Sequence, residues 1–173
     1  PRRINTAGDD ASGPNTECDK CAENYFVDSE NCLSCPTGTT NVAGDSVYGG
    51  NTECGECAEN YYVSSDECLP CSPGTKRIAG DIITDGNTSC DDVLCSANQY
   101  VSSNECKSCP PGTTNAAGDD ASGSDTTCDA TLCDVNEYVS SNACVACDPR
   151  RINTAGDDAS GPNTECDKCA ENY

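Results

Sequence analysis

The sequence predicts a small, disulfide-rich fold, mostly irregular and β, repeated in tandem as an elongated rod of 36–38-residue units with a disulfide ladder. Three observations predict it. Cysteine makes up 18 of 173 residues, the density of a cross-linked scaffold. Ile, Leu, Val and Phe number only 5, 4, 9 and 1, too little apolar side chain to offset chain entropy without cross-links. The third is self-similarity at a fixed period, the mark of an array of small supersecondary units that contact mainly their neighbours.

The cysteines define the period. They lie at 18, 21, 32, 35, then 54, 57, 68, 71, then 90, 95, 106, 109, then 128, 133, 144, 147, and finally 166 and 169. Successive first cysteines are 36, 36, 38 and 38 residues apart. The expected organisation is a partial repeat at 1–17, four repeats at 18–53, 54–89, 90–127 and 128–165, and the start of another at 166–173. Residues 149–173 reproduce 1–25 without a change, which sets a super-repeat of 148 residues. The window is therefore expected to open and close inside repeats.

Each repeat has two loops. The shorter reads AENYFVDSEN, AENYYVSSDE, SANQYVSSNE and DVNEYVSSNA, an aromatic and a Val before a polar cluster, which predicts two very short strands around a turn. The longer is rich in Gly, Pro, Asn and Thr, carries AGD at its centre in every copy, and predicts turns and irregular strands. Helical apolar periodicity is absent. Tyr25, Tyr61, Tyr62, Tyr100 and Tyr138 are expected to stack on neighbouring disulfides as a thin core.

Two pairings fit the cysteines. The second-to-third and fourth-to-first gaps are constant at ten and eighteen residues, while first-to-second varies between two and four. A bridge fixes the ends of the loop that it closes, whereas a spacer between bridges accepts insertions. That favours a ladder of Cys21–Cys32, Cys35–Cys54, Cys57–Cys68, Cys71–Cys90, Cys95–Cys106, Cys109–Cys128, Cys133–Cys144 and Cys147–Cys166. The rival is a crossed pairing in each repeat, such as Cys18–Cys32 with Cys21–Cys35.

The chemistry of sites is sparse. Nine basic against 30 acidic residues give a net charge of −21, which repels nucleic acid and anionic lipid. His is absent, and no Ser, Asp or Glu stands in a nucleophile or acid/base motif, so no enzyme activity is expected. The paired CxxC resembles a zinc site, but its expansion to CxxxxC argues against one. No cofactor is expected, with calcium as the alternative. Asp9, Asp10, Asp45, Asp81, Asp85, Asp119, Asp120, Asp157 and Asp158 recur beside glycines in the long loops, where hard cations find oxygen ligands. The competing reading is a solvated turn that suits Asp and Gly. Asn87-Thr88-Ser89 is an N-glycosylation acceptor.

With CPTGTTNVAGD (35–45), CPPGTTNAAGD (109–119) and CAENYYVSSDEC (57–68), the chain resembles the ciliate surface immobilisation antigens along essentially its whole length. Its C-x2-C-P-x-G pattern is also similar to ephrin-receptor-like and furin-like cysteine-rich repeats. The first resemblance implies a glycolipid-anchored coat with no catalytic residues. The expected function is an extracellular structural protein, a cell-surface coat or filament that self-associates, with membrane attachment only through an anchor outside this window. The alternative is a cysteine-rich binding or receptor-type module, calcium-stabilised in one version. In a fibre, Arg2, Arg3, Arg150 and Arg151 are expected to meet acidic loops of an adjacent chain or turn.

Overall fold

The computed structural model describes residues 2–5 and 17–169, with the side chains of Lys168 and Cys169 excluded. It divides into two compact halves, Pro1–Asp91 and Asp92–Tyr173. Among the described residues the only helical element is a single 3-10 turn at Ile83–Asp85; the rest is short strands, turns and irregular chain.

Each repeat is built on one β-hairpin. In the first half the strands are Tyr25–Asp28 with Asn31–Ser34, and Tyr61–Ser64 with Glu67–Pro70. In the second they are Gln99–Ser102 with Glu105–Ser108, and Glu137–Ser140 with Ala143–Ala146. The first strand and the turn lie inside the short loop as expected, whereas the second strand starts at the loop's last residue and runs through the third cysteine, as in Asn31–Ser34. Two residues join each pair, and both have positive φ, as at Ser29 (49°) and Glu30 (63°). That is the backbone of a type I′ turn, whose twist matches that of the flanking strands. Ser is an unfavourable choice for it and needs support from the long loop.

Pleating alternates the side chains. Val27, Val63, Val101 and Val139 face inward and are 0% exposed, each opposite a half-cystine across the hairpin. The second cysteine of each repeat closes the same small core: Cys21, Cys57, Cys95 and Cys133 are buried. In the first repeat Val47 completes it, and in the fourth Ala159 does.

The tyrosines divide between the two faces of the hairpins. Tyr25 does pack against the Cys21, Val27 and Cys32 cluster. Tyr62, Tyr100 and Tyr138, however, immediately precede the inward valine in their strands and so occupy the opposite face of the hairpin. The centre of each repeat is therefore valine and cystine, with tyrosine at its rim. Tyr61 covers a glycine instead. Its ring lies over Gly38, where an added Cβ would come within 2.6 Å of it. With a φ of +88°, Gly38 is fixed by both conformation and space.

The eight bridges follow the ladder order. Cys21–Cys32, Cys57–Cys68, Cys95–Cys106 and Cys133–Cys144 tie each hairpin to the segment before it. Cys35–Cys54, Cys71–Cys90, Cys109–Cys128 and Cys147–Cys166 close the long loops. Cys18 stands outside the ladder and is exposed.

The variable spacer is also explained. In the CxxC form, Glu56 pairs with Thr40 on one side and with Ile82 on the other. In the CxxxxC form the two roles separate: Asp129 pairs with Thr114, and Leu132 with Asp158. Two inserted residues thus lengthen the segment between two strand contacts without disturbing either bridge.

Candidate functional site

The AGD triplet at the centre of every long loop holds the repeat together. Its Gly N–H and Asp carbonyl bond the second cysteine on both sides of that residue. In the first repeat Gly44 N–H donates to the Cys21 carbonyl at 3.0 Å, and Cys21 N–H donates to the Asp45 carbonyl at 2.8 Å. The same pair recurs at Gly80, Asp81 and Cys57, at Gly118, Asp119 and Cys95, and at Gly156, Asp157 and Cys133.

The aspartate side chain then becomes a hub. The Asp45 carboxylate accepts from the Thr52 hydroxyl at 2.6 Å and from Asn41 Nδ2 at 2.7 Å. Thr52 Oγ1 also accepts the N–H of the buried Val27 at 2.9 Å, and Thr52 N–H returns a bond to the Val27 carbonyl. Asp119 repeats this with Thr126 and Asn115, and Asp157 with Thr164 and Asn153. In the second repeat an arginine replaces the asparagine: Arg77 Nε and a terminal nitrogen reach the two oxygens of Asp81 at 2.7 and 2.9 Å, beside Thr88. A two-toothed guanidinium–carboxylate pair fills the place of one amide bond.

The aspartates expected together as calcium ligands therefore have separate duties. Asp45, Asp81, Asp119 and Asp157 are hubs. Asp120 and Asp158 instead accept both the N–H and the hydroxyl of Ser122 and Ser160, two residues on, in an Asx turn. Asp85 lies in the exposed 3-10 turn, while Asp9 and Asp10 lie outside the described residues. Among the described residues the one grouping with metal-ligand spacing is Cys133, Glu137 and Cys144, and its two sulfurs are bonded to each other.

Asn87 serves as a turn support. Its Oδ1 accepts the N–H of Ser65 at 2.9 Å, the first residue of the type I′ turn. Asn51, Asp125 and Asn163 do the same for Ser29, Ser103 and Ser141. This bond offsets part of the cost of a left-handed serine, about 1–2 kcal/mol. In the sequence Asn87 and Thr88 stand out only as part of a glycosylation acceptor, and neither they nor the other hub and turn-support residues are legible in their structural roles. The signals that mark the threonines and turn supports are an N/D-T-x-C motif and the constant seven-residue step from Asp to Thr.

The arginines of the super-repeat bond main chain where their contacts are described: Arg3 donates to the Glu30 carbonyl, and Arg151 to the Cys166 carbonyl. Arg150 N–H meets Asp148 Oδ1. An open cavity of about 410 Å3 in the second half is lined by Tyr138, Asp148, Arg151, Glu165 and Cys166. A groove of about 220 Å3 in the first runs past Glu23, Thr40, Val42, Glu56 and Gly80.

Charge and hydrogen bonding shift three carboxyls the same way. The Arg77 hydrogen bond, joined by that of Thr88, holds Asp81 below the usual carboxylate range. Thr126 and then Asn115 do so for Asp119, and the Ser160 hydroxyl and amide for Asp158. A carboxyl depressed in the folded state gives stability that is present above its unfolded pKa of about 3.9 and lost as pH falls through the folded value. Melting is therefore expected to be flat between about pH 7 and about pH 5 and to fall below about pH 4. A melting temperature that does not fall below about pH 4 contradicts these pairings of Asp81, Asp119 and Asp158.

Thr126 can be tested alone. Thr126→Val keeps the shape but leaves the buried Val101 N–H without its acceptor, which costs about 1–3 kcal/mol. Denaturant titration reads the loss, and Thr126→Ser restores most of it.

Comparison with family models, with curated proteins and with solved structures found no match for the chain. Its class rests on its own architecture. Consecutive disulfide-laddered repeats with almost no helix define a small cysteine-rich tandem-repeat module, made for an oxidising, extracellular setting and suited to a structural or binding role. Among the described residues no helix is long and apolar enough to cross a membrane.

Proposed function

We propose that this chain is a non-enzymatic structural element of an extracellular coat or filament that assembles by self-association. The observation that carries the reading is the assignment of the repeated polar side chains. The Asp, Thr and Asn positions that recur in the repeats are spent on each repeat's own backbone. What recurs is thus the scaffold, while the exposed positions drift from repeat to repeat, and residues 1–25 return unchanged at 149–173, 148 residues on. A contact surface that returns at a long, fixed interval suits an assembly in which every fourth repeat meets an equivalent neighbour. The strong negative charge disfavours nucleic acid and bare anionic membrane as partners.

A binding or receptor-type module is the second reading, and one observation favours it. Ile78 and Val42 occupy the same place in the second and first repeats and are 80% and 68% exposed. The third and fourth repeats carry Ala116 and Thr154 there. Unequal apolar exposure of this kind suits a site for one partner.

Sedimentation velocity and negative-stain electron microscopy of the oxidised chain separate the two readings. Self-association with a regular repeat supports the coat or filament. A chain that stays monomeric over all concentrations and salt conditions overturns it and leaves the binding module.

A further inference from the structure

The four turn supports share a geometry but differ in chemistry. Asn51, Asn87, Asp125 and Asn163 each place one side-chain oxygen 2.9–3.0 Å from a turn Ser N–H. An aspartate does this as well as an asparagine, so the fold requires the oxygen and not the amide nitrogen. Only at Asn87 does the second residue beyond complete an acceptor triplet, through Ser89; Asn51 and Asn163 have Glu53 and Glu165 there. Asn87 and Ser89 are both exposed.

The fate of the nitrogen separates this asparagine from the interior ones. Asn41, Asn115 and Asn153 donate Nδ2 to an aspartate and to a main-chain carbonyl, so a substituent there would break the hub. Asn104 and Asn142 donate Nδ2 to the Ala121 and Ala159 carbonyls. At Asn51 Nδ2 reaches the carboxylate of Asp28, a position taken by Ser64 in the second repeat. Asn87 therefore keeps the repeat folded with Oδ1 alone, and N-substitution leaves that carbonyl an acceptor.

We propose that Asn87 carries an N-linked oligosaccharide, and that the crest of this hairpin is where the fold accepts it. The inference rests on the extracellular reading above. The donor is a lipid-pyrophosphate-linked oligosaccharide. The bond from Nδ2 to the sugar's C1 forms as the C1–O bond to the pyrophosphate breaks. The lipid pyrophosphate leaves with that electron pair, and the amide gives up one proton. Ser89 supplies the hydroxyl that the acceptor triplet needs. The product places a bulky polar group at one hairpin crest in four, leaving the other three crests bare for contacts.

The test routes the full chain through a eukaryotic secretory pathway behind a cleavable host signal, so acceptance of the sugar is read independently of where the native chain resides. Intact mass should exceed that of the polypeptide by one oligosaccharide, and peptide N-glycosidase should remove it and convert Asn87 to Asp. Ser89→Ala and Asn87→Asp should each abolish the sugar, with the bridges complete and the melting temperature unchanged. Asp125→Asn completes a second triplet with Thr126 and Thr127 and should add a second oligosaccharide. A secreted, fully bridged and unglycosylated wild-type chain overturns the proposal. So does sugar found only on chains with incomplete bridges, since the fold would then exclude it. Free thiols in native material would instead count against the extracellular reading.

Discussion

Reduction and alkylation of the bridges should unfold the chain completely, with loss of near-ultraviolet dichroism and of all amide protection. Each repeat buries one hairpin valine fully, worth about 1.5–3 kcal/mol, and that cannot order some three dozen residues of loop and turn. Two bridges per repeat contribute on the order of 6 kcal/mol by the loop-closure model, by restricting the unfolded chain. A reduced chain that kept its hairpins would show that the Asp–Thr–Asn hub suffices alone.

Removing one bridge at a time separates entropy from packing. Cys109–Cys128 closes a separation of 19 residues and Cys95–Cys106 one of 11. Loop entropy alone makes the longer bridge worth more, by about 0.5 kcal/mol. Packing reverses that order. Cys95 is buried in the core beside Val101, whereas both ends of the longer bridge are half-exposed. Replacing Cys95 and Cys106 with alanine leaves a cavity as well as a freed loop, so it should cost about 4–5 kcal/mol against about 3 kcal/mol for the Cys109 and Cys128 pair. Denaturation midpoints of the two double variants decide the order, and a greater loss from the longer bridge would mean that the core contributes little.

Much of this fold can be read from sequence because the cysteine spacing records it. Constant gaps mark closed loops, and the variable gap marks the segment in which Glu56 performs two pairings that Asp129 and Leu132 divide. The hairpins follow from the aromatic–Val–polar pattern. The aromatic positions read as one set in sequence, yet pleating sends the adjacent Tyr61 and Tyr62 to opposite faces. The aspartates are the least legible. Asp119 and Asp120 are neighbours rich in oxygen, which is what a cation site offers, yet one binds Thr126 and Asn115 and the other Ser122. Only the fold brings Thr126, seven residues away, onto Asp119. The constant step in four repeats is the trace it leaves.

The bridge map of the chain, harvested with its thiols trapped and digested without reduction, is the most direct test of the ladder. The ladder predicts peptides that join Cys21 to Cys32, Cys35 to Cys54 and Cys57 to Cys68, and onward in the same order through Cys147 and Cys166. Cys21 joined to Cys35, or trapped thiols along the ladder, would contradict both the fold and the extracellular setting drawn from it.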